Sequence, residues 1–143
     1  MKNILKDYLI VLHNNSTHTV SKLKSFKKRN KGYKEISAAY LSSLKSGAYY
    51  MNLNFNITIQ EAWKLFLEQN RQCALTGQVL CFSNNKEGLR KQTASLDRID
   101  SSNGYSINNV QWVHKTINKM KWSLSNKEFI ELCNIVSDYG RKK

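Results

Sequence analysis

Apolar positions recur at helical spacing over most of the chain and switch to alternation only in its centre. Asn3 to Leu12 places Ile4, Leu5, Tyr8, Leu9 and Leu12 on one face, and Asn14-Asn15-Ser16-Thr17 breaks that pattern. Ile36 to Met51 predicts a second helix, with Tyr40, Leu41, Leu44 and Ala48 on one stripe. Thr58-x-x-Glu61 is a capping-box signature ahead of Ala62, Trp63, Leu65, Phe66 and Leu67, and predicts a helix ending near Asn70. Tyr49, Tyr50 and Trp63 stand at helical spacing and are expected in the core. Thr76-Gly77 and Asn84-Asn85 are turn signals around an expected strand, Val79 to Phe82. Ala94 to Ile99 and Asn109 to Val113 read as two short strands joined by a turn-rich loop, Asp100 to Asn108. On the second strand Trp112 alternates with Val110 toward the core, and Gln111 faces the other way. His114 to Lys121 predicts a short helix. Ser125-x-x-Glu128 is a second capping box, opening a helix with Phe129, Ile130, Leu132, Cys133, Ile135 and Val136, for which Gly140 is the expected stop. The class is α+β, mostly helical around an irregular centre.

Composition narrows the function. The 143 residues suit one domain, and a net charge of +13 favours a polyanionic partner. The excess is uneven. Residues 1–60 carry ten basic side chains against two acids, residues 61–100 six against five, and residues 101–143 seven against three. The densest run, Lys22 to Lys31, has almost no acids to pair with, which points to phosphate contact through Lys22, Lys24, Lys27, Lys28, Arg29 and Lys31, joined by Lys34 and Lys45. Two regions are therefore expected within one compact unit: a basic helical DNA-binding part over 1–60 and a second part over 61–143. No apolar run approaches a membrane span, and no secretory leader is visible. Three cysteines without a C-x-x-C pair fit a reducing cytoplasm better than a disulfide framework. His13 and His18 lie outside any motif and read as surface or cap residues.

The centre holds the chemistry. Asp97 lies at the start of the loop, and His114, Asn118 and Lys121, at i, i+4 and i+7, are expected on one helix face. Asp97 and Asn118 would then face each other across a cleft as hard oxygen ligands for magnesium or manganese, next to Arg98, Lys119 and Lys121. The competing reading is a solvent loop whose Asp and Asn residues form turns.

The motif Leu96-Asp97-Arg98-Ile99-Asp100-Ser101, then Gly104-Tyr105, Asn109, and Asn118 with Lys121, resembles the ββα-metal finger of the HNH (His-Me finger) endonuclease superfamily. It is most similar to the branch of phage-type homing endonucleases and a rare-cutting restriction enzyme. The upstream segments Cys73 to Gly77 and Asn54 to Thr58 look like parts of the same branch, so the resemblance covers about residues 36–137. It implies a central finger of two short antiparallel strands and a helix, and DNA phosphodiester hydrolysis. It also implies Asp97 and Asn118 on the metal, Asn109 pinning the loop, and Lys121 approaching the cleaved phosphate. Arg98 occupies the position where the family usually has its histidine base. An arginine stays protonated and clamps phosphate instead. The base is then Tyr105, matching a tyrosine of the restriction-enzyme relative, or His114, or no side chain at all, with metal-ordered water sufficing. Relatives with a zinc knuckle have two C-x-x-C pairs; here those places read Cys73-x-x-Thr76 and His114-x-x-Ile117, so structural zinc is not expected. Packing around Leu75, Val79, Val113 and Ile117 would replace it. The expected partner is double-stranded DNA, with no membrane and with homodimerisation left open. The rival function is a non-catalytic, basic nucleic-acid-binding module that keeps the HNH scaffold, with an RNase or a membrane-surface protein third.

Overall fold

A computed structural model of the chain describes residues 32–83 and 92–143. The expected helix over 3–12, the basic run Lys22 to Lys31, His13, His18 and the Asn84-Asn85 turn lie outside those residues. In chain order the described elements are α1 (Ala38–Tyr50), β1 (Phe55–Asn56), α2 (Ile59–Glu68), β2 (Ala94–Arg98), β3 (Tyr105–Ser106), a 3₁₀ turn (Ile107–Asn109), β4 (Val110–His114), α3 (Lys115–Lys121) and α4 (Asn126–Gly140). The architecture is α+β. β2 and β4 pair antiparallel, from Ala94 opposite His114 to Arg98 opposite Val110, and β1 pairs parallel with β3.

The helix ends are set by local chemistry. Ser37 caps α1, and both expected capping boxes form: Thr58 with Glu61 on α2, Ser125 with Glu128 on α4. α1 and α2 both stop at an asparagine in the left-handed region, Asn52 and Asn70. In each, the next amide bonds back to the last inward-facing turn, Leu53 to Ala48 O and Arg71 to Phe66 O.

α2 turns Ala62, Trp63 and Phe66 onto one face of the β2–β4 pair. There the Phe66, Phe82 and Trp112 rings meet edge to face, with centroids 4.9–5.6 Å apart. The Trp112 indole N–H is satisfied by Ala62 O at 2.7 Å. Ile36, Ala48 and Ile57 join the same core, so residues 32–60 pack with the rest of the described chain.

A two-stranded sheet has two bare edges, and side chains close both of them here. On the β4 edge the Gln69 amide acts as a third strand, accepting from Trp112 N at 2.8 Å and donating to Trp112 O at 2.9 Å. On the β2 edge Leu96 N donates to the Tyr40 hydroxyl at 2.8 Å. Burial pushes the Tyr40 phenol up to about 12, so it remains a neutral hydroxyl.

Three expectations fail. Val79 to Phe82 forms no strand: Val79 makes only an isolated bridge with Gln72 and is 75% exposed, because Leu80 N is spent on Arg71 O and Cys81 on Thr93. Val79 therefore packs on nothing, while Val113 is buried and Leu75 and Ile117 pack against the core. Tyr49 and Tyr50 are 81% and 86% exposed, since they lie past Ala48, where the inward stripe of α1 ends. α4 does end at Gly140, as its last helical residue, but the cap itself is Arg141 in the αR region and not a left-handed glycine.

Gly104 is where the loop touches the rest of the fold. A Cβ there would meet Asn54 O at 2.4 Å, the carbonyl that also accepts from Tyr105 N at 2.8 Å. Gly104→Ala should part β3 from β1 and cost about 1–3 kcal/mol. A lowered unfolding midpoint checks this; an unchanged one would mean the loop yields freely.

Candidate active site

Side chains alternate along β2, so Ala94, Leu96 and Arg98 share one face and Ser95 and Asp97 the other. α3, seven residues long, follows β4 without a break and packs on the Ser95/Asp97 face. Asn118 and Lys121, three apart, reach that face together. The Asn118 amide nitrogen donates to Ser95 Oγ at 2.8 Å and Leu96 O at 3.4 Å. Its oxygen then points away, with no hydrogen-bond partner among the described residues.

Asp97 is 4% exposed and Lys121 is fully buried. Lys121 Nζ lies 3.3 Å from both Asp97 oxygens, donates to Arg98 O at 2.7 Å, and approaches Ser101 Oγ at 3.4 Å. Gln111 Nε2 donates to Asp97 Oδ2 at 2.9 Å and to Asn126 Oδ1 at 2.7 Å, and Asn126 Nδ2 returns a bond to Gln111 Oε1. One buried polar network thus ties β2, β4, α3 and the start of α4. The expectation that Lys121 approaches phosphate is corrected: all the hydrogens of its ammonium are used internally. Lys121→Met should cost about 3–5 kcal/mol, because it leaves the Asp97 charge buried without its partner. Chemical denaturation measures this, and a loss under about 1 kcal/mol would show the pair to be unimportant for folding.

The loop after β2 is closed by its own groups. The Asn109 side chain accepts from Asp100 N at 3.0 Å and donates to Asp100 O at 3.0 Å and Gly104 O at 2.9 Å. Hydrogen bonds from the Ser102 hydroxyl and amide and from Asn103 hold the Asp100 carboxyl below the usual carboxylate range. Arg98 Nη1 donates to Ser101 O at 2.6 Å and Asn103 O at 3.1 Å, and its guanidinium lies 5.4 Å from the centre of the Tyr105 ring. Tyr105 is 8% exposed and packs on Phe55 at 5.0 Å. Burial raises its phenol above the ordinary tyrosine value, Arg98 pulls it down, and Asp97 pushes it up.

His114 lies elsewhere. It is the N-cap of α3 with extended backbone, and its ring accepts from Thr116 N, so it is not on the helical face of Asn118 and Lys121. It pairs with Ala94, on the opposite face of the sheet from Asp97 and about 10 Å along the strand. His114 N donates to the buried Cys73 Sγ at 3.3 Å. The other two places of the knuckle pattern hold Thr76 and Ile117, which are not zinc ligands. Among the described residues no group of three or more His, Cys, Asp or Glu is placed to hold an ion. Of the expected DNA-binding residues, only Lys34 and Lys45 are described, and both are exposed.

No protein-family model and no curated protein matches the chain. Among solved structures it is similar to the rare-cutting HNH restriction endonuclease PacI, reported with an extraordinary mechanism of DNA perturbation. The TM-score is 0.51 at 22% identity, over 78% of this chain and 86% of that one. The chain has an HNH-type fold. Within it, β2, β4 and α3 form the two strands and helix of the finger, and β1–β3 and α4 brace the finger from outside. Sequence reasoning missed the partners that fix it, Gln69, Tyr40 and Asn126. A lone Gln or Asn on a helix carries no periodic signal, whereas Gln111 is legible from strand alternation.

Proposed function

We propose that the chain is a metal-dependent DNA endonuclease that hydrolyses phosphodiester bonds at Asp97, Asn118, Arg98 and Tyr105. The observation that carries this reading is the placement of Asp97 and Asn118 on one face of β2 within an HNH-type fold. The donors suit magnesium or manganese. One carboxylate still has lone pairs beyond those used by Gln111 and Lys121, and one amide oxygen has no hydrogen-bond partner among the described residues. A bound ion would supply Lewis acidity to the scissile phosphate. Arg98, with Nη1 anchored to the loop and a hydrogen bond to the Tyr105 hydroxyl, keeps further N–H donors to clamp a phosphate oxygen. Tyr105 takes the proton of the attacking water, Asn109 holds the loop in shape, and Lys121 positions Asp97 from beneath. The Asp-Arg pair where the family usually has a histidine supports the homing and rare-cutting restriction branch.

The partner in this reading is double-stranded DNA, held by the basic region over residues 1–60. Changing Lys24, Lys27, Lys28 and Arg29 together to Ala should weaken binding on every sequence. It should also flatten log K against log salt by up to about 0.9 for each phosphate that the protein no longer neutralises. An unchanged slope would show that the run points into bulk solvent. No helix among the described residues is long and apolar enough to cross a membrane, and three cysteines without a C-x-x-C pair suit the reducing cytoplasm that this reading assigns to the protein.

A second reading, a nucleic-acid-binding module that keeps the scaffold without cutting, is favoured by one observation: the phenol nearest Arg98 is pushed up by burial. Plasmid nicking with magnesium or manganese, against a chelator control, separates the two. Metal-dependent nicking supports the nuclease, and binding without nicking supports the module.

A further inference from the structure

The outer face of α1 takes no part in the core. Tyr40, Leu44 and Ala48 turn inward, and the opposite stripe carries Ser42, Lys45, Ser46 and Tyr49 at i, i+3, i+4 and i+7, with Tyr50 beside them. These five side chains are exposed and line a shallow groove of about 380 Å³. The Tyr49 and Tyr50 rings stand edge to face, with centroids 6.1 Å apart. Helix stability does not account for the stripe. Serine is a weak helix former, and the Ser42 and Ser46 hydroxyls have no hydrogen-bond partner among the described residues.

The charge of this face has one sign. From Ile36 to Gln60 the chain has no acidic residue. Glu35, just before, is held by Arg71 at 2.6 Å, and Lys45 has no ion pair among the described residues. An ammonium, two hydroxyls and two phenol rings suit a partner that offers phosphate oxygens beside flat apolar surface, which is the chemistry of nucleic acid. A membrane surface would want apolar side chains where this helix has Ser42 and Ser46. The face also lies near the candidate site. The Tyr40 hydroxyl ties α1 to the edge of β2 at Leu96 N. Past Tyr50 the chain turns at Asn52, and Asn54 O accepts from Tyr105 N at 2.8 Å. Four residues span at most about 14 Å, so Tyr50 stands within roughly four base-pair steps of a phosphate on the Tyr105 loop.

We infer that the outer face of α1 is a DNA-contact surface flanking the site of cleavage. Ser42, Lys45 and Ser46 take backbone phosphates, and the Tyr49–Tyr50 pair packs against the sugar and base of neighbouring nucleotides. This deepens the nuclease reading and rests on it for the nature of the partner, so its test reads binding without cleavage. In fluorescence anisotropy of a labelled DNA duplex, titrated with the full chain in chelator, Lys45→Ala should weaken binding and lower the slope of log K against log salt by about 0.9, the value of one phosphate. Tyr49→Ala with Tyr50→Ala should raise the dissociation constant about 10-fold or more, the scale of losing aromatic stacking. It should leave the slope where it was, because no charge has gone. All these side chains are exposed, so the variants should keep the wild-type thermal midpoint.

A tyrosine variant that binds like the wild type overturns the inference, and so does an unchanged slope in Lys45→Ala; neither result touches the nicking assay. Losses of the expected size in a chain that never nicks uphold this surface and remove the nuclease. A lowered midpoint in the tyrosine variant with binding unchanged would show that the chain's own first residues cover the face, and would overturn the inference. The same losses on duplex RNA but not on DNA would overturn it too.

Discussion

Asp97→Asn should reduce magnesium-dependent cleavage about 10³-fold or more while leaving the fold and DNA binding in place. A ligand oxygen contributes several kcal/mol of transition-state charge stabilisation, and each 1.36 kcal/mol is a factor of ten in rate. The buried network dictates asparagine rather than alanine. Asp97→Ala would leave the fully buried Lys121 ammonium without a counter-charge and cost about 3–5 kcal/mol, so lost activity could mean only lost folding. Asparagine also removes the counter-charge, but it keeps the side-chain volume and one oxygen acceptor for Lys121, so its cost to folding should be smaller than that of alanine, and the unfolding midpoint reads what remains. The measurements are plasmid nicking with magnesium, gel shift in chelator, and the unfolding midpoint. Binding should be equal or tighter, because a negative charge beside phosphate has gone. Wild-type nicking by Asp97→Asn would remove Asp97 from the metal site.

What could be read from the sequence had a local cause. The capping boxes at Thr58 and Ser125 need only residues three apart, and both formed. The strands at 94–99 and 109–113 alternate strongly enough that the paired elements differ by a single residue at their ends. What could not be read was decided by distant parts of the chain. Val79 to Phe82 has strand propensity, but its backbone groups are taken by Arg71 and Thr93, eight or more residues away. Tyr49 and Tyr50 continue a helical period past the point where the core ends. His114 counts as helical by spacing, yet it caps the helix from outside, which moves it off the Asn118 face. Lys121 is the largest departure. A lysine in a basic chain reads as a surface charge, and here it is the buried cation that holds Asp97, Arg98 O and Ser101 together. The motif spacing around Asp97 and Asn118 was legible, and the division of labour among their neighbours was not.

The second large effect concerns the proton. If Tyr105 accepts it from the attacking water, Tyr105→Phe should lower the rate about 10²–10⁴-fold, the range for removal of a general base. The ring should stay in place, because its contacts with Phe55 and the Arg98 guanidinium do not need the hydroxyl. The pH profile is the sharper test. A general base works deprotonated, and burial holds this phenol above its ordinary value despite the opposing pull of Arg98. Most of the enzyme is then in the wrong protonation state at neutral pH, so log rate should climb with pH and keep climbing past 9, by about one unit per pH unit. Tyr105→Phe should flatten that climb. His114→Ala should leave both rate and profile unchanged, because that ring caps α3 at the other end of β2, about 10 Å along the strand from Asp97. Arg98→His is the companion variant. It sets an imidazole where the family usually has one and removes the clamp on phosphate. If the loop keeps the geometry of the standard finger, Arg98→His should partly rescue Tyr105→Phe and shift the rise in rate down toward the ordinary histidine value near 6.5. A Tyr105→Phe enzyme that cuts at the wild-type rate with the same profile would mean that the attacking water loses its proton without a side-chain base, its acidity raised by a bound ion alone. Arg98 would then matter only as the clamp.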